Sequence, residues 1–186
     1  NVSFSYQPDQ TLVENFDVDV KPGEMIAIVG PTGAGKTTMI NLLMRFYDVT
    51  GGRITVDGKD IRALKRQHYR SQFGMVLQDT WLFEGSIREN LRFGNLEASD
   101  AEIEEAARTM NVHDYIMSLP QGYESIIDQE SSNISAGQKQ LLTIARALLA
   151  EPQILILDEA TSSVDTRMER LIQEAMNQLM EGRTSF

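Results

Sequence analysis

The stretch Gly30-Pro31-Thr32-Gly33-Ala34-Gly35-Lys36-Thr37 constrains this chain more than any other feature. Just before it runs Met25-Ile26-Ala27-Ile28-Val29, continuously apolar, as expected of a strand covered on both faces of a sheet. After it, residues 37–46 carry Met39, Ile40, Leu43, Met44 and Phe46 at spacings that predict a helix packed on that sheet. A strand, a loop of pattern G-x-x-x-x-G-K-[ST] and a helix, in that order, form a phosphate-holding unit. Glycines let backbone N–H groups turn inward around the phosphates, and the helix N-terminus adds positive potential. Lys36 supplies a point charge to the outer phosphates, and Thr37 offers a hydroxyl to a magnesium ion. Gly30, Thr32, Gly33, Ala34, Gly35, Lys36, Thr37 and Thr38 are therefore the candidate binding residues, and nucleoside triphosphate with Mg2+ is the candidate ligand.

A second element of the same chemistry lies far along the chain. Ile154-Leu155-Ile156-Leu157 is a short apolar strand ending in Asp158-Glu159, and open α/β sheets bind ligands at the carboxyl ends of their strands. Alone, two acids after a strand read as a solvated turn or helix start. Paired with the phosphate loop they make a hydrolytic site, in which Asp158 holds magnesium and Glu159 orients or deprotonates the attacking water.

Between these elements the sequence predicts a change of architecture. Two strands and a turn at Gln7-Pro8-Asp9-Gln10 open the chain, and residues 53–56 form a strand leading into a turn at Asp57-Gly58. Residues 73–77 are a further apolar strand. Ser99-Asp100-Ala101-Glu102 has the form of a capping box opening a helix to about Met110. Ser135 caps another helix, bearing Leu141, Leu142, Ile144, Ala145, Leu148 and Leu149, with Pro152 marking its end. A last helix spans residues 166–180 and stops at Gly182, before the start of a strand. The expected fold class is α/β: residues 1–78 and 151–186 form a core with an antiparallel N-terminal part, and residues 79–150 an inserted helical subdomain.

Composition removes several alternatives. The 27 acidic against 17 basic residues give a formal net charge of −10, which repels a nucleic-acid backbone, so no nucleic-acid partner is expected. There are no cysteines for disulfides or a thiolate metal site. The apolar runs fall well short of the roughly 20 residues that a membrane-spanning helix needs. The first residues lack the regions of a signal peptide, and the chain reads as beginning inside a fold.

Asn133-Ile134-Ser135-Ala136-Gly137-Gln138-Lys139-Gln140-Leu141 resembles the signature loop of the ABC ATPase family, whose pattern is Leu-Ser-Gly-Gly-Gln. Ile134 replaces the leucine and Ala136 the first glycine. As chemistry, Ser135 is open to two roles, an ordinary helix N-cap or a second phosphate contact. The resemblance implies a P-loop NTPase core with a mixed sheet, binding and hydrolysing ATP. It further implies a head-to-tail dimer with a second ABC ATP-binding domain, identical or not, in which Ser135, Gly137 and Gln138 reach the nucleotide of the opposite subunit. By the same resemblance Tyr6 stacks on adenine, although as a strand aromatic it also suits a core. Gln78 senses Mg2+ and the γ-phosphate, and Asp165, in Ser162-Ser163-Val164-Asp165, contacts the opposite subunit.

The stretch from Gln78 to Leu91 looks like the exporter branch of that family, in which this surface receives the transmembrane domain. Trp81, Leu82 and Phe83 are then either core or an exposed apolar patch. The exporter reading implies a position on the cytoplasmic face of the cell membrane. Two alternatives are a soluble ABC-type ATPase not coupled to transport, and a weakly hydrolytic half of a heterodimer, suggested by Ala136. The family's switch histidine is expected on a strand a few residues beyond Phe186, so the chain is expected to stop short of it. His68 and His113 lie in the wrong segments to replace it and are expected at the surface.

Overall fold

The computed structural model describes residues 1–7, 10–77, 80–128, 133–158 and 164–186. The turn residues Pro8 and Asp9, together with Gln78, Glu159, Ser162 and Ser163, lie outside the described residues.

β1 (Val2–Gln7) and β2 (Gln10–Phe16) pair antiparallel, with Val2, Phe4 and Val13 buried along the inner face. α1 (Lys36–Leu43) follows the glycine-rich loop. It is shorter than expected, because Arg45 turns left-handed at φ 56° just beyond its C-terminus. β3 (Thr55–Val56) and β4 (Lys59–Asp60) form a small hairpin, and α2 (Arg66–Arg70) leads into β5 (Phe73–Val76). β6 (Gly85–Ser86) pairs with β7 (Ile126–Ile127), and α3 (Ile87–Arg92), α4 (Asp100–Thr109) and α5 (His113–Ser118) lie between them in sequence. The chain closes with α6 (Ala136–Leu149), β8 (Ile154–Leu157), α7 (Thr166–Met180) and β9 (Thr184–Ser185).

The central sheet is parallel, in the order β5, β8, β9, with Phe73 opposite Ile154 and Val76 opposite Leu157. β5 and β8 are both wholly apolar, as strands covered on two faces must be. One continuous core joins Val76 and Leu155 of this sheet to Leu91 of α3, Ile103 of α4, Ile116 of α5, Leu142 of α6 and Ile172 of α7. The helical block is therefore fused to the sheet through shared side chains.

Three helices of the block start alike. Ser86, Ser99 and Ser135 each accept the backbone N–H three residues on, and Glu89, Glu102 and Gln138 return the bond. Each capping box satisfies two donors that the first turn would otherwise leave open.

One expected strand is not formed. Of residues 25–29 only Met25 bridges to the sheet, beside Ser185, with the Ile26 N–H donating to the Ser185 carbonyl at 2.8 Å. Met25 and Val29 are 73% and 87% exposed. Among the described residues the ladder hydrogen bonds beside β9 end at Ile26. His113 departs from its expected surface position as well, being half-buried with Nδ1 2.8 Å from the Tyr123 hydroxyl, whereas His68 is exposed.

Asn90, 1% exposed, fastens the loop before α3 to the core. Its amide donates to the Phe83 and Ser86 carbonyls, and its Oδ1 accepts from the Phe83 N–H and from Arg146 of α6. Arg146 also donates to the Asn90 and Trp81 carbonyls, and burial lowers its pKa. Removing the amide takes the acceptor from the Phe83 N–H and from one Arg146 nitrogen, and the donor from the Phe83 and Ser86 carbonyls, while Arg146 keeps the Asn90 and Trp81 carbonyls. Asn90→Ala is expected to cost about 2–3 kcal/mol in urea unfolding, against about 0.5 kcal/mol or less for the exposed Asn177→Ala; equal losses would refute the role given to this network.

Candidate functional site

The phosphate-loop pattern folds as its glycines require. Gly33 and Gly35 take φ of 83° and 87°, a left-handed backbone that only glycine adopts without strain. Gly35 is the N-cap of α1, and the first helical bond runs from the Met39 N–H to the Gly35 carbonyl. No acidic residue stands in the first turn of α1, so its positive end is unopposed within the helix. The Lys36 ammonium folds back over the loop and donates to the carbonyls of Gly30, at 2.6 Å, and Pro31, at 3.1 Å. An anion in the loop would compete with these neutral acceptors and win on charge.

Thr37 is exposed at the second position of α1, while Thr38 beside it is buried. The Thr38 hydroxyl lies 3.2 Å from that of Tyr6 on β1. Tyr6 is 51% exposed, so neither a core role nor a purely exposed one describes it: its hydroxyl is tied to the helix behind the loop while its ring reaches solvent. A residue that sequence reasoning missed stands next to it. Tyr47, in the turn after α1, sets its ring edge-on to Tyr6 with centroids 5.1 Å apart. The only sequence signal for it was the adjacent pair Phe46-Tyr47.

Asp158 is exposed at the carboxyl end of β8, its N–H bonded to the Val76 carbonyl at 2.9 Å. Met25 bridges Ser185 of β9 in parallel, and β9 is parallel to β8.

The signature residues form a second cluster. Ser135 Oγ accepts from the Gln138 N–H at 3.4 Å, and the Gln138 side-chain oxygen accepts from the Ser135 N–H at 3.1 Å. This leaves the Ser135 hydroxyl proton available to an acceptor, whereas the Gln138 oxygen is already engaged. Gly137 is buried in the first turn of α6, where a Cβ would lie 2.1 Å from Met168 Cγ. Asp165 caps α7 by accepting from the Arg167 and Met168 N–H groups at 3.0 and 3.1 Å. The starts of α6 and α7 are thus packed together, and among the described residues no hydrogen bond joins them to the phosphate loop.

In the stretch similar to exporters one apolar residue is core and another exposed, and Phe93 just beyond it joins the exposed cluster. Leu82 is buried, whereas Trp81 and Phe93 are 62% and 57% exposed and cluster with Phe83. Among the described residues no helix is long and apolar enough to cross a membrane.

A model of the ABC transporter family matches residues 13–162. The chain is 55% identical over 186 residues to the fatty acid ABC transporter ATP-binding/permease protein of Mycobacterium bovis, covering 100% of this chain and 30% of that protein. It is 48% identical over 186 residues to the ATP-dependent lipid A-core flippase of Syntrophus aciditrophicus, covering 100% of this chain and 31% of that one. Among solved structures, that of a bacterial Atm1-family ABC exporter with ATP bound superposes with a TM-score of 0.88 at 41% identity, over 100% of this chain and 32% of that one. The chain thus spans roughly a third of the length of these relatives.

The close approach at Gly137 is testable in itself. Gly137→Ala forces Met168 aside and is expected to cost about 1–3 kcal/mol, recovered in large part by adding Met168→Ala. Denaturant unfolding of the two single variants and the double variant checks it, and strictly additive losses would show that the two residues do not press on each other.

Proposed function

This chain belongs to the ABC transporter family, and we propose that it binds ATP with Mg2+ and hydrolyses it as the nucleotide-binding domain of an exporter. The observation that carries the reading is the loop itself, left-handed at Gly33 and Gly35 with the Lys36 ammonium folded over its carbonyls. In this reading residues 1–78 and 151–186 are the ATP-binding core, and residues 79–150 the helical signature subdomain.

The loop N–H groups and Lys36 hold the outer phosphates, and Tyr6 carries the base. Thr37 and Asp158 are hard oxygen donors, exposed as a hydrated Mg2+ requires, with Gln78 a third ligand of the same type. When bound, the ion neutralises charge on the β- and γ-phosphate oxygens. Glu159 takes a proton from water as the water oxygen attacks the γ-phosphorus and the bond to ADP breaks, leaving ADP and inorganic phosphate.

The partners proposed are a second ABC ATP-binding domain and a transmembrane domain, which put this chain at the cytoplasmic face of the cell membrane. The Ser135 hydroxyl proton and the N–H groups at the start of α6 would meet the γ-phosphate held by the opposite subunit. The exposed Trp81 and Phe93 would face the transmembrane domain. A second reading, one half of a heterodimeric exporter, is favoured by Ala136. It is the first residue of α6 and keeps its N–H, but adds a methyl where the signature pattern has glycine.

Lys36→Ala is expected to weaken Mg-ATP binding about 10- to 100-fold by calorimetry, the value of a charge-assisted contact. An unchanged affinity would remove the phosphate-loop reading. Glu159→Gln, in the assembled transporter, is expected to retain ATP and lose about 100-fold or more in turnover, since a carboxamide accepts no proton. Near-normal turnover would contradict the base.

A further inference from the structure

Tyr6 is held on three sides. Its hydroxyl meets Thr38, the ring of Phe4 stands edge-on at 4.8 Å and 85°, and that of Tyr47 edge-on at 5.1 Å and 88°. Phe4 is 4% exposed and belongs to the core, but Tyr47 is 46% exposed, which the packing of a core does not require.

The turn carrying Tyr47 is unusually well fixed for a surface turn. The Tyr69 hydroxyl donates to the Leu43 carbonyl at 2.5 Å, and the Arg70 guanidinium to the carbonyls of Met44 and Arg45 at 3.1 and 2.7 Å. Arg45 reaches Asp48 at 2.9 Å and the carbonyls of Ile61 and Leu64 at 2.9 and 2.8 Å, and Arg66 reaches Asp48 at 3.2 Å. The Arg45 contact holds the Asp48 carboxyl below its ordinary pKa. Three guanidinium groups therefore immobilise the residues on both sides of Tyr47. A ring on so rigid a mount keeps its own orientation and imposes one on its neighbour.

We propose that Tyr47 is a positioning residue for the nucleobase: its ring edge fixes the tilt of Tyr6 so that the exposed face of Tyr6 receives the base of ATP. The proposal rests on the base-stacking reading of Tyr6. Tyr47 acts through Tyr6 and contributes to binding of the base, while the triphosphate is held separately by the loop and Lys36. Edge-to-face aromatic pairs prefer one mutual orientation, so deleting Tyr47 frees Tyr6 to rotate and charges that lost order to base binding alone.

The test separates the two ends of the ligand. Calorimetry of this chain with Mg-ATP and with inorganic tripolyphosphate compares wild type, Tyr47→Ala, Tyr47→Phe and Tyr6→Ala. Tyr47→Ala is expected to weaken ATP about 2- to 10-fold, the worth of one aromatic pair, and to leave tripolyphosphate unchanged. Tyr47→Phe, which keeps the ring, is expected to match wild type with both ligands. Tripolyphosphate binding also reports that each variant is folded. If Tyr47→Ala binds ATP like wild type while Tyr6→Ala does not, the role of Tyr47 is overturned and the reading of Tyr6 stands. If Tyr47→Ala weakens both ligands equally, Tyr47 acts on the loop and the proposal is overturned as well. ATP affinity unchanged in Tyr6→Ala overturns the base reading and this proposal with it.

Discussion

The four-residue parallel ladder between β5 and β8 is the constraint on which the other features hang. It joins Phe73 to Ile154 and Val76 to Leu157, so everything between them is one long excursion that must leave and return at the same two strands. Closing so long a loop is entropically expensive, though the cost grows only slowly with length. It is offset where the excursion packs back: Leu91, Ile103, Ile116 and Leu142 share one core with Val76 and Leu155. The ladder also fixes the chemistry. By holding Leu157 against Val76 it sets Asp158 at the carboxyl end of β8, its N–H on the Val76 carbonyl.

What was legible in the sequence was what local forces decide. The Ser99 capping box, the Ser135 cap and the stop before Gly182 each depend on a few adjacent residues, and each lies where reading predicted it. The same rule would have located α3, because Ser86-Ile87-Arg88-Glu89 repeats the pattern read at Ser99. The failure at residues 25–29 is of another kind. Apolar composition marks a segment fit for a sheet, but a strand also needs partners for its backbone N–H and C=O groups, and among the described residues the ladder bonds here end at Ile26. Tyr47, the Asn90–Arg146 network and the fit of Gly137 against Met168 join segments distant in sequence, and no local pattern announces them.

The signature cluster shows why a motif residue cannot be assigned a single purpose from its pattern. Ser135 and Gln138 satisfy one another, Gly137 gives way to Met168, and Asp165 satisfies the first turn of α7. Each has a structural reason to be what it is. An N-cap nevertheless sits where the helix dipole and open N–H groups favour an anion, so structural and ligand-binding demands select the same residue types. The two demands differ in what they tolerate. A cap can exchange Ser for Asp, whereas a phosphate oxygen needs a proton donor and is repelled by a carboxylate.

A chain of net charge −10 that holds a polyanion looks contradictory until distances are considered. At physiological ionic strength charges farther apart than about 8 Å are largely screened, so the global excess of acids is felt weakly inside any one site. What would act at the loop is short-range: its backbone N–H groups, the positive end of α1 with no acid in its first turn, and the Lys36 ammonium. A long nucleic-acid backbone extends over many screening lengths and meets the acidic surface, whereas a triphosphate fits within one. On the ATP-binding reading, a net acidic chain would repel the polymer and hold the small anion, and size would select between them.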